Sequence, residues 1–200
     1  MTGLDLRADA LIEVAVLVTD FDLNVLGEGI DLIVKPPAEA LDQMIDFVRA
    51  MHEKSGLLDH LDSGITLAEA EAQVLAYIRE HCAEGSRPPL AGNTVGTDRL
   101  FISRDMPDLD AFLHYRIVDV SSIKELSRRW FPKAYFTSPA KRGNHRALAD
   151  IQESIEELRY YRETVFVPSP GPDAATARAV AARHGGALTG ISEPDSNPKP

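Results

Sequence analysis

The chain has 200 residues, a formal net charge of −10, 44% hydrophobic and 26% charged residues, and a single cysteine. Length and composition fit one soluble globular domain with a real core. One cysteine excludes an internal disulfide and a cysteine-based zinc cluster, and the negative charge argues against a protein that coats long nucleic acid by charge alone.

Residues 1–10 read as a loop, with Gly3, Asp5 and Asp9 and no apolar periodicity. Leu11 to about Asp20 is β-branched and apolar, as in a strand buried on both faces, and Val14–Val18 is far too short to span a bilayer. No basic-then-apolar leader precedes it, so no secretory signal is expected. Val25–Lys35 alternates as a half-buried second strand and stops at Pro36–Pro37. Leu41, Met44, Ile45, Val48 and Met51 then fall on one helical stripe that Gly56 closes. Thr66 and Glu69 form a capping-box pattern before a second helix, with Leu67, Val74, Leu75 and Ile78 facing inward.

A short strand ending near Asn93 leads to a helix from about Thr97, and His114–Val120 reads as another short strand. Ser122 with Glu125 is expected to cap the helix that follows, with Trp130 and Phe131 in the core. A long helix runs from about His145 to Glu163, with Leu148, Ile151, Ile155 and Leu158 on its buried stripe. Six of the thirteen prolines lie between Pro168 and Pro200, among Ala, Gly and Ser. The expected organisation is therefore a folded unit over 1–167 and a flexible Pro/Ala/Gly-rich tail over 168–200. The order β, β, α, α, β, α, β, α, α describes a mixed-sheet α/β domain.

Three places can carry chemistry. GNTVGTD (Gly92–Asp98) stands at a strand-to-helix transition, where ligands of open α/β sheets collect, so Asp98 is placed to hold a metal. On spacing alone it reads as readily as an acid decorating a helix start. In GNHRALAD (Gly143–Asp150), His145 and Asp150 can face one site if the histidine sits on the entering loop; alternatively both are solvated. HYRIVDVSS (His114–Ser122) sets Arg116 and two serines near a helix start, a pattern that suits a phosphate. Its plain alternative is a tyrosine on the sheet edge beside a surface arginine.

Together, MTGLD, LDQMIDFVRAMHEKSGL, GNTVGTDRLFISRDMP, HYRIVDVSSIKELSRRW and GNHRALADIQESIEELRYYRE, in this order, resemble successive blocks of the oligoribonuclease branch of the DEDDh exonuclease family. The resemblance covers roughly residues 1–165. It implies an RNase H-like fold with a mixed five-strand sheet flanked by helices. It also implies a cytoplasmic, homodimeric 3′-to-5′ exoribonuclease with no membrane partner, acting on short single-stranded RNA down to dinucleotides.

The cofactors implied are two divalent cations, Mg²⁺ or Mn²⁺. Asp98 matches the third acidic ligand, Asp150 the fourth and His145 the general base. Tyr115 matches a functional tyrosine that reaches the site from the partner subunit. Thr94, Arg116 and Ser121 match the cap on the substrate's 5′-phosphate. Leu4 and Phe47, with His52 in the same block, match the side chains that wedge and stack the bases, although Phe47 stands where an indole is usual.

In the family, MTGLD follows an Asp-x-Glu pair at the end of the first strand, which lies between the hairpin and the strand ending near Asn93. Neither that strand nor its two carboxylates are in this sequence. Loss of some four buried apolar side chains at ~1.5–3 kcal/mol each forfeits about 6–12 kcal/mol, against a typical domain stability of about 5–15 kcal/mol. Two readings compete, a true start upstream that makes Met1 an internal methionine and a shortened, catalytically impaired chain. The energies favour the first, and a chain truly starting at Met1 is expected to fold poorly and to be nearly inactive. Two alternatives stay open: a non-catalytic oligonucleotide-binding pseudo-nuclease, and a related exonuclease acting on DNA.

Overall fold

The computed structural model describes residues 1–140 and 146–185. Two compact units divide the chain, Met1–Val165 and Phe166–Pro200.

The first unit opens with a closed loop. The Thr2 N–H donates to the Ala10 carbonyl at 2.9 Å, and the buried Thr2 hydroxyl donates to Asp9 Oδ1 at 2.8 Å and accepts from the Ala10 N–H at 3.0 Å. Strand β1 (Glu13–Thr19) then pairs antiparallel with β2 (Val25–Ile33), from Glu13 opposite Ile33 to Thr19 opposite Val25. The register shifts between Val16 and Val18, and the Tyr77 hydroxyl accepts from the Val18 N–H at 3.3 Å while donating to the Leu26 carbonyl at 2.9 Å. One side chain thus satisfies the backbone on both strands where the ladder slips. Strand β1 is half-buried throughout, not covered on both faces as its composition predicts.

The single helix expected over the forties is two, α1 (Ala38–Asp42) and α2 (Asp46–Lys54). Ile45 takes an extended backbone (φ −65°, ψ 149°), which resets the helical phase and leaves Ile45 exposed while Met44 and His52 are buried. A 3₁₀ turn follows at Leu58–Ser63. Helix α3 (Leu67–His81) begins at the expected capping box: Thr66 Oγ1 accepts from the Glu69 N–H at 3.2 Å, and Glu69 Oε2 accepts from the Thr66 N–H at 2.9 Å. Its Ala70, Val74, Leu75 and Ile78 pack on Leu11, Val34, Phe101 and Met106, the main core.

Strand β3 (Pro89–Gly92) leads to α4 (Val95–Asp105), which starts two residues earlier than predicted, and to α5 (Pro107–Phe112). Strand β4 (His114–Asp119) runs parallel to β3, with Gly92 opposite Asp119. Helix α6 (Val120–Trp130) is capped by Asp119, whose side chain accepts from the Ser121 N–H, and not by Ser122, because the strand delivers Asp119 to that amide first. Trp130 and Phe131 are not core: Trp130 is 66% exposed, and with Phe131 and with Phe136 of α7 (Pro132–Phe136) it forms an aromatic surface. The last helix of this unit is α8 (Ala147–Thr164).

The described strands make two separate pairs, β1–β2 and β3–β4. Two cavities, of about 770 and about 330 Å³, lie between β1 and β3 and are bordered by residues of both strands. The predicted apolar stripe of α8 is only half-buried, and its Ile151, Ile155 and Leu158 border the smaller cavity, whereas Ser154, Glu157 and Tyr161 are the buried line.

The described part of the second unit contains α9 (Ala174–His184), capped by Asp173, which accepts from the Thr176 N–H at 2.7 Å. That segment is helical where composition suggested no regular structure. Among the described residues no helix is long and apolar enough to cross a membrane.

Candidate active site

The carboxyl end of β3 delivers Asp98 in the first turn of α4, half-buried. Burial pushes its carboxyl above the usual range and nearby Asp119 adds to this, while a hydrogen bond from its own backbone and the Met1 ammonium pull it down. That ammonium is itself held below its ordinary value by burial, against the attraction of Glu13, Asp98 and Asp9. The acidic groups at this end of the unit thus share one poorly solvated region.

Asp150 arrives from the opposite side, in the first turn of α8. The helix start is set by the buried Glu13 of β1, whose Oε2 accepts from the Ala147 N–H at 2.8 Å and whose Oε1 accepts from Arg146 Nε at 2.5 Å. A carboxylate on the first free N–H groups complements the helix dipole and fixes where Asp150 emerges. Asp98 and Asp150 line the same 770 Å³ cavity. His145 lies outside the described residues.

Leu4 and His52 border this cavity too. Leu4 is 74% exposed, an apolar side chain held out at the rim by the closed opening loop. His52 is buried and its Nε2 donates to the Met1 carbonyl at 2.9 Å, so that nitrogen carries the proton. Phe47 stands out from α2, 77% exposed, but is not among the residues that line the cavity.

Thr94 and Ser121 meet. The Thr94 N–H lies 3.0 Å from both Ser121 Oγ and Asp119 Oδ1, and the two hydroxyls are 3.2 Å apart. Thr94 holds a left-handed backbone (φ 55°, ψ 29°), rare for a β-branched residue and a sign of local constraint. Arg116 is exposed on β4, with its guanidinium over the Tyr115 ring at 5.4 Å. Tyr115 is 75% exposed and does not line the cavity of its own chain.

Among the described residues no group of three or more His, Cys, Asp or Glu could hold a metal ion. The two carboxylates on the cavity are hard oxygen donors, the chemistry that suits Mg²⁺ or Mn²⁺. A half-buried carboxyl held above its usual range is also one that a cation would relieve. In type these residues fit a divalent metal. In number they supply two of its ligands.

Sequence reasoning missed Glu13, and it missed Asn93, Ser154 and Glu157, which bond to one another across some sixty residues. Only Asn93, inside a segment already singled out, offered a signal. The cleft brings two carboxylates from different helices to one cavity and carries an exposed apolar side chain at its rim.

The exonuclease family model matches residues 1–158. The chain is similar to the oligoribonuclease of Streptomyces coelicolor, 68% identical over 184 residues that cover 92% of each chain. It is 62% identical to the oligoribonuclease of Cutibacterium acnes, over 95% of this chain and 94% of that one. To the oligoribonuclease of Mycobacterium tuberculosis it is 56% identical, over all of this chain and 94% of the relative.

Proposed function

The chain belongs to the exonuclease family, on its oligoribonuclease branch, and on that premise we propose that it shortens small RNAs from the 3′ end, down to dinucleotides that it splits into mononucleotides. One observation carries the reading: Asp98 and Asp150, from helices far apart in sequence, line a single cavity together with Leu4 and His52.

A pair of divalent cations held there by Asp98 and Asp150 would supply an acidified water and steady the leaving oxygen. The chain's own groups do the rest. His145, five positions before Asp150 in the sequence, takes the proton from the attacking water. Exposed Leu4 and exposed Phe47, from two separate family blocks, offer apolar surface to the bases. Thr94, Arg116 and Ser121 receive the 5′-phosphate through hydroxyls and a guanidinium. A closed end of that kind sets the preference for two nucleotides.

The reading includes a fifth strand between β1 and β3. Support for it comes from the two cavities, which open between strands that are each paired on one side only, and from the apolar stripe of α8 along the smaller one. Further carboxylates on such a strand would complete the coordination that two acids begin. A homodimer is proposed on the exposed aromatic surface of α6 and α7, with Tyr115 serving the partner's cavity. The exonuclease domain is assigned to 1–167 and a Pro/Ala/Gly-rich tail to 168–200, and the enzyme is assigned to the cytoplasm. The non-catalytic alternative draws no support, since the relatives carry an enzyme's name.

The test is Mn²⁺-dependent hydrolysis of a 5′-phosphorylated diribonucleotide, and of its DNA counterpart, by this chain, by a chain extended upstream with a strand ending in Asp-x-Glu, and by the Asp98→Asn and Asp150→Asn forms of each. Expected are RNA hydrolysis that EDTA stops, a large gain on extension, and loss with either substitution. Metal-independent turnover, equal turnover of DNA, or indifference to both substitutions would overturn the reading.

A further inference from the structure

The rim formed by Thr94 and Ser121 is not a loose pair of hydroxyls. Behind it runs a chain of hydrogen bonds whose direction is fixed at its buried end. Glu157 of α8 is buried; its Oε1 receives Lys124 Nζ of α6 at 3.0 Å, and its Oε2 faces the Asn93 side-chain amide at 3.1 Å. A carboxylate only accepts, so the NH₂ of Asn93 must point at it. A second contact imposes the same orientation. Ser154 Oγ gives its proton to the Asp150 carbonyl at 2.9 Å, so toward Asn93 Nδ2, also 2.9 Å away, it can only accept.

With its NH₂ turned inward, Asn93 presents Oδ1 to Ser121, which donates its one hydroxyl proton there at 3.1 Å. Ser121 is left with lone pairs alone for Thr94. The Thr94 N–H and hydroxyl therefore both donate, and the left-handed backbone of Thr94 is held in place by those bonds and by Asp119.

We infer that Glu157, paired with Lys124, is a positioning residue that sets the hydrogen-bond polarity of the Thr94–Ser121 rim through Asn93 and ties that rim to the helix bearing Asp150. The inference rests on the reading of the rim as the 5′-phosphate subsite. Its consequence is selective. In this structure the one Thr94 hydroxyl proton is directed at Ser121; it is the proton that can turn to a phosphate, because the Thr94 N–H still serves Ser121. The rim stands in fixed register with the Asp150 helix because α8 supplies both Ser154 and Glu157. Glu157→Gln keeps the shape but adds a donor, so the Asn93 amide can turn over and the order of donors along the chain is lost. Lys124→Met, at a partly exposed site, removes the ammonium that anchors Glu157 Oε1, loosens the angle at which the carboxylate meets Asn93, and should act alike.

The experiment is equilibrium binding of a 5′-phosphorylated and a 5′-hydroxyl diribonucleotide to the full chain, in EDTA, for wild type, E157Q and K124M, with thermal unfolding of each. Wild type should prefer the phosphorylated ligand. Both variants should lose about tenfold of that preference, the size of a charge-assisted hydrogen bond, with the affinity for the 5′-hydroxyl ligand unchanged. A preference retained in both folded variants, or an equal loss for both ligands, overturns the positioning role. Should E157Q fail to fold, K124M decides alone. No preference in wild type would instead sink the phosphate-subsite reading, and the inference with it.

Discussion

Trp130→Glu should convert a dimer of this chain into monomers without harming the protomer. An indole side chain offers roughly 250 Å² of surface, and Trp130 is 66% exposed, which leaves roughly 160 Å² free to be covered. At ~25 cal/mol/Å² that is about 4 kcal/mol per protomer, and a two-fold interface counts it twice, about 8 kcal/mol before the costs of association. Phe136, 78% exposed, and Phe131 add to the same face. Placing a carboxylate on each side of the interface removes this gain and adds repulsion, so the dimer constant should weaken by at least about 10³. Sedimentation velocity over micromolar concentrations reads the assembly, and urea unfolding of dilute protein reads the protomer. An unchanged sedimentation profile would show that the aromatic face is not the interface. A collapse of protomer stability would show that Trp130 packs inside its own chain, against its exposure here.

Mixing Tyr115→Phe and Asp98→Asn subunits, each inactive alone, should restore part of the diribonucleotide hydrolysis, because each mixed dimer holds one site with both groups intact; no recovery after subunit exchange would place Tyr115 in its own chain's chemistry. Asp98→Asn alone should lower turnover by more than about 100-fold, since disturbing groups that merely support a metal ligand already costs 10–100-fold. Thr66→Ala should cost about 1 kcal/mol and about 2–4 °C in Tm by opening the capping box of α3, with turnover unchanged at 25 °C. Asp31 is held above its usual carboxylate range by burial and then by Glu13, against the pull of Arg146. The folded chain therefore keeps a proton there that the unfolded chain has lost, and stability falls as pH rises above about 4. Asp31→Asn should flatten that slope in urea titrations across pH, and an unchanged slope would assign it to other groups.

What could be read in the sequence was what is local. The Thr66–Glu69 box is a contact between neighbours three residues apart, and the β1–β2 hairpin follows from alternation and a polar turn. The break at Ile45 was hidden because the apolar spacing continues across it; only the backbone of Ile45 shows that the phase has reset. Trp130 and Phe131 were read as core because a core and a surface awaiting cover call for the same residues. Asp98 and Asp150 were legible as acids at helix starts, but their common cavity was not, since 52 positions separate them and only the packing of α4 and α8 joins them. The Asn93–Glu157 contact had no signal in either segment alone.

Helix α8 explains why those long-range contacts matter more than their number. Its apolar residues Ile151, Ile155 and Leu158 border a cavity, so along this stripe hydrophobic burial does little to fix its position, and the buried Tyr161 anchors only its far end. Direction comes from polar fasteners: Glu13 of β1 on Ala147 and Arg146 at its start, and Asn93 of β3 on Ser154 and Glu157 midway. Hydrogen bonds are modest in net energy but strict in angle and distance, whereas apolar contacts are larger and indifferent to either. A helix held in this way keeps Asp150 in register with both strands that flank the cavity. Changes at Glu13, Asn93 or Glu157 should therefore disturb the placement of Asp150 before they disturb the fold, which puts the sensitivity of the site in its fasteners as much as in its acids.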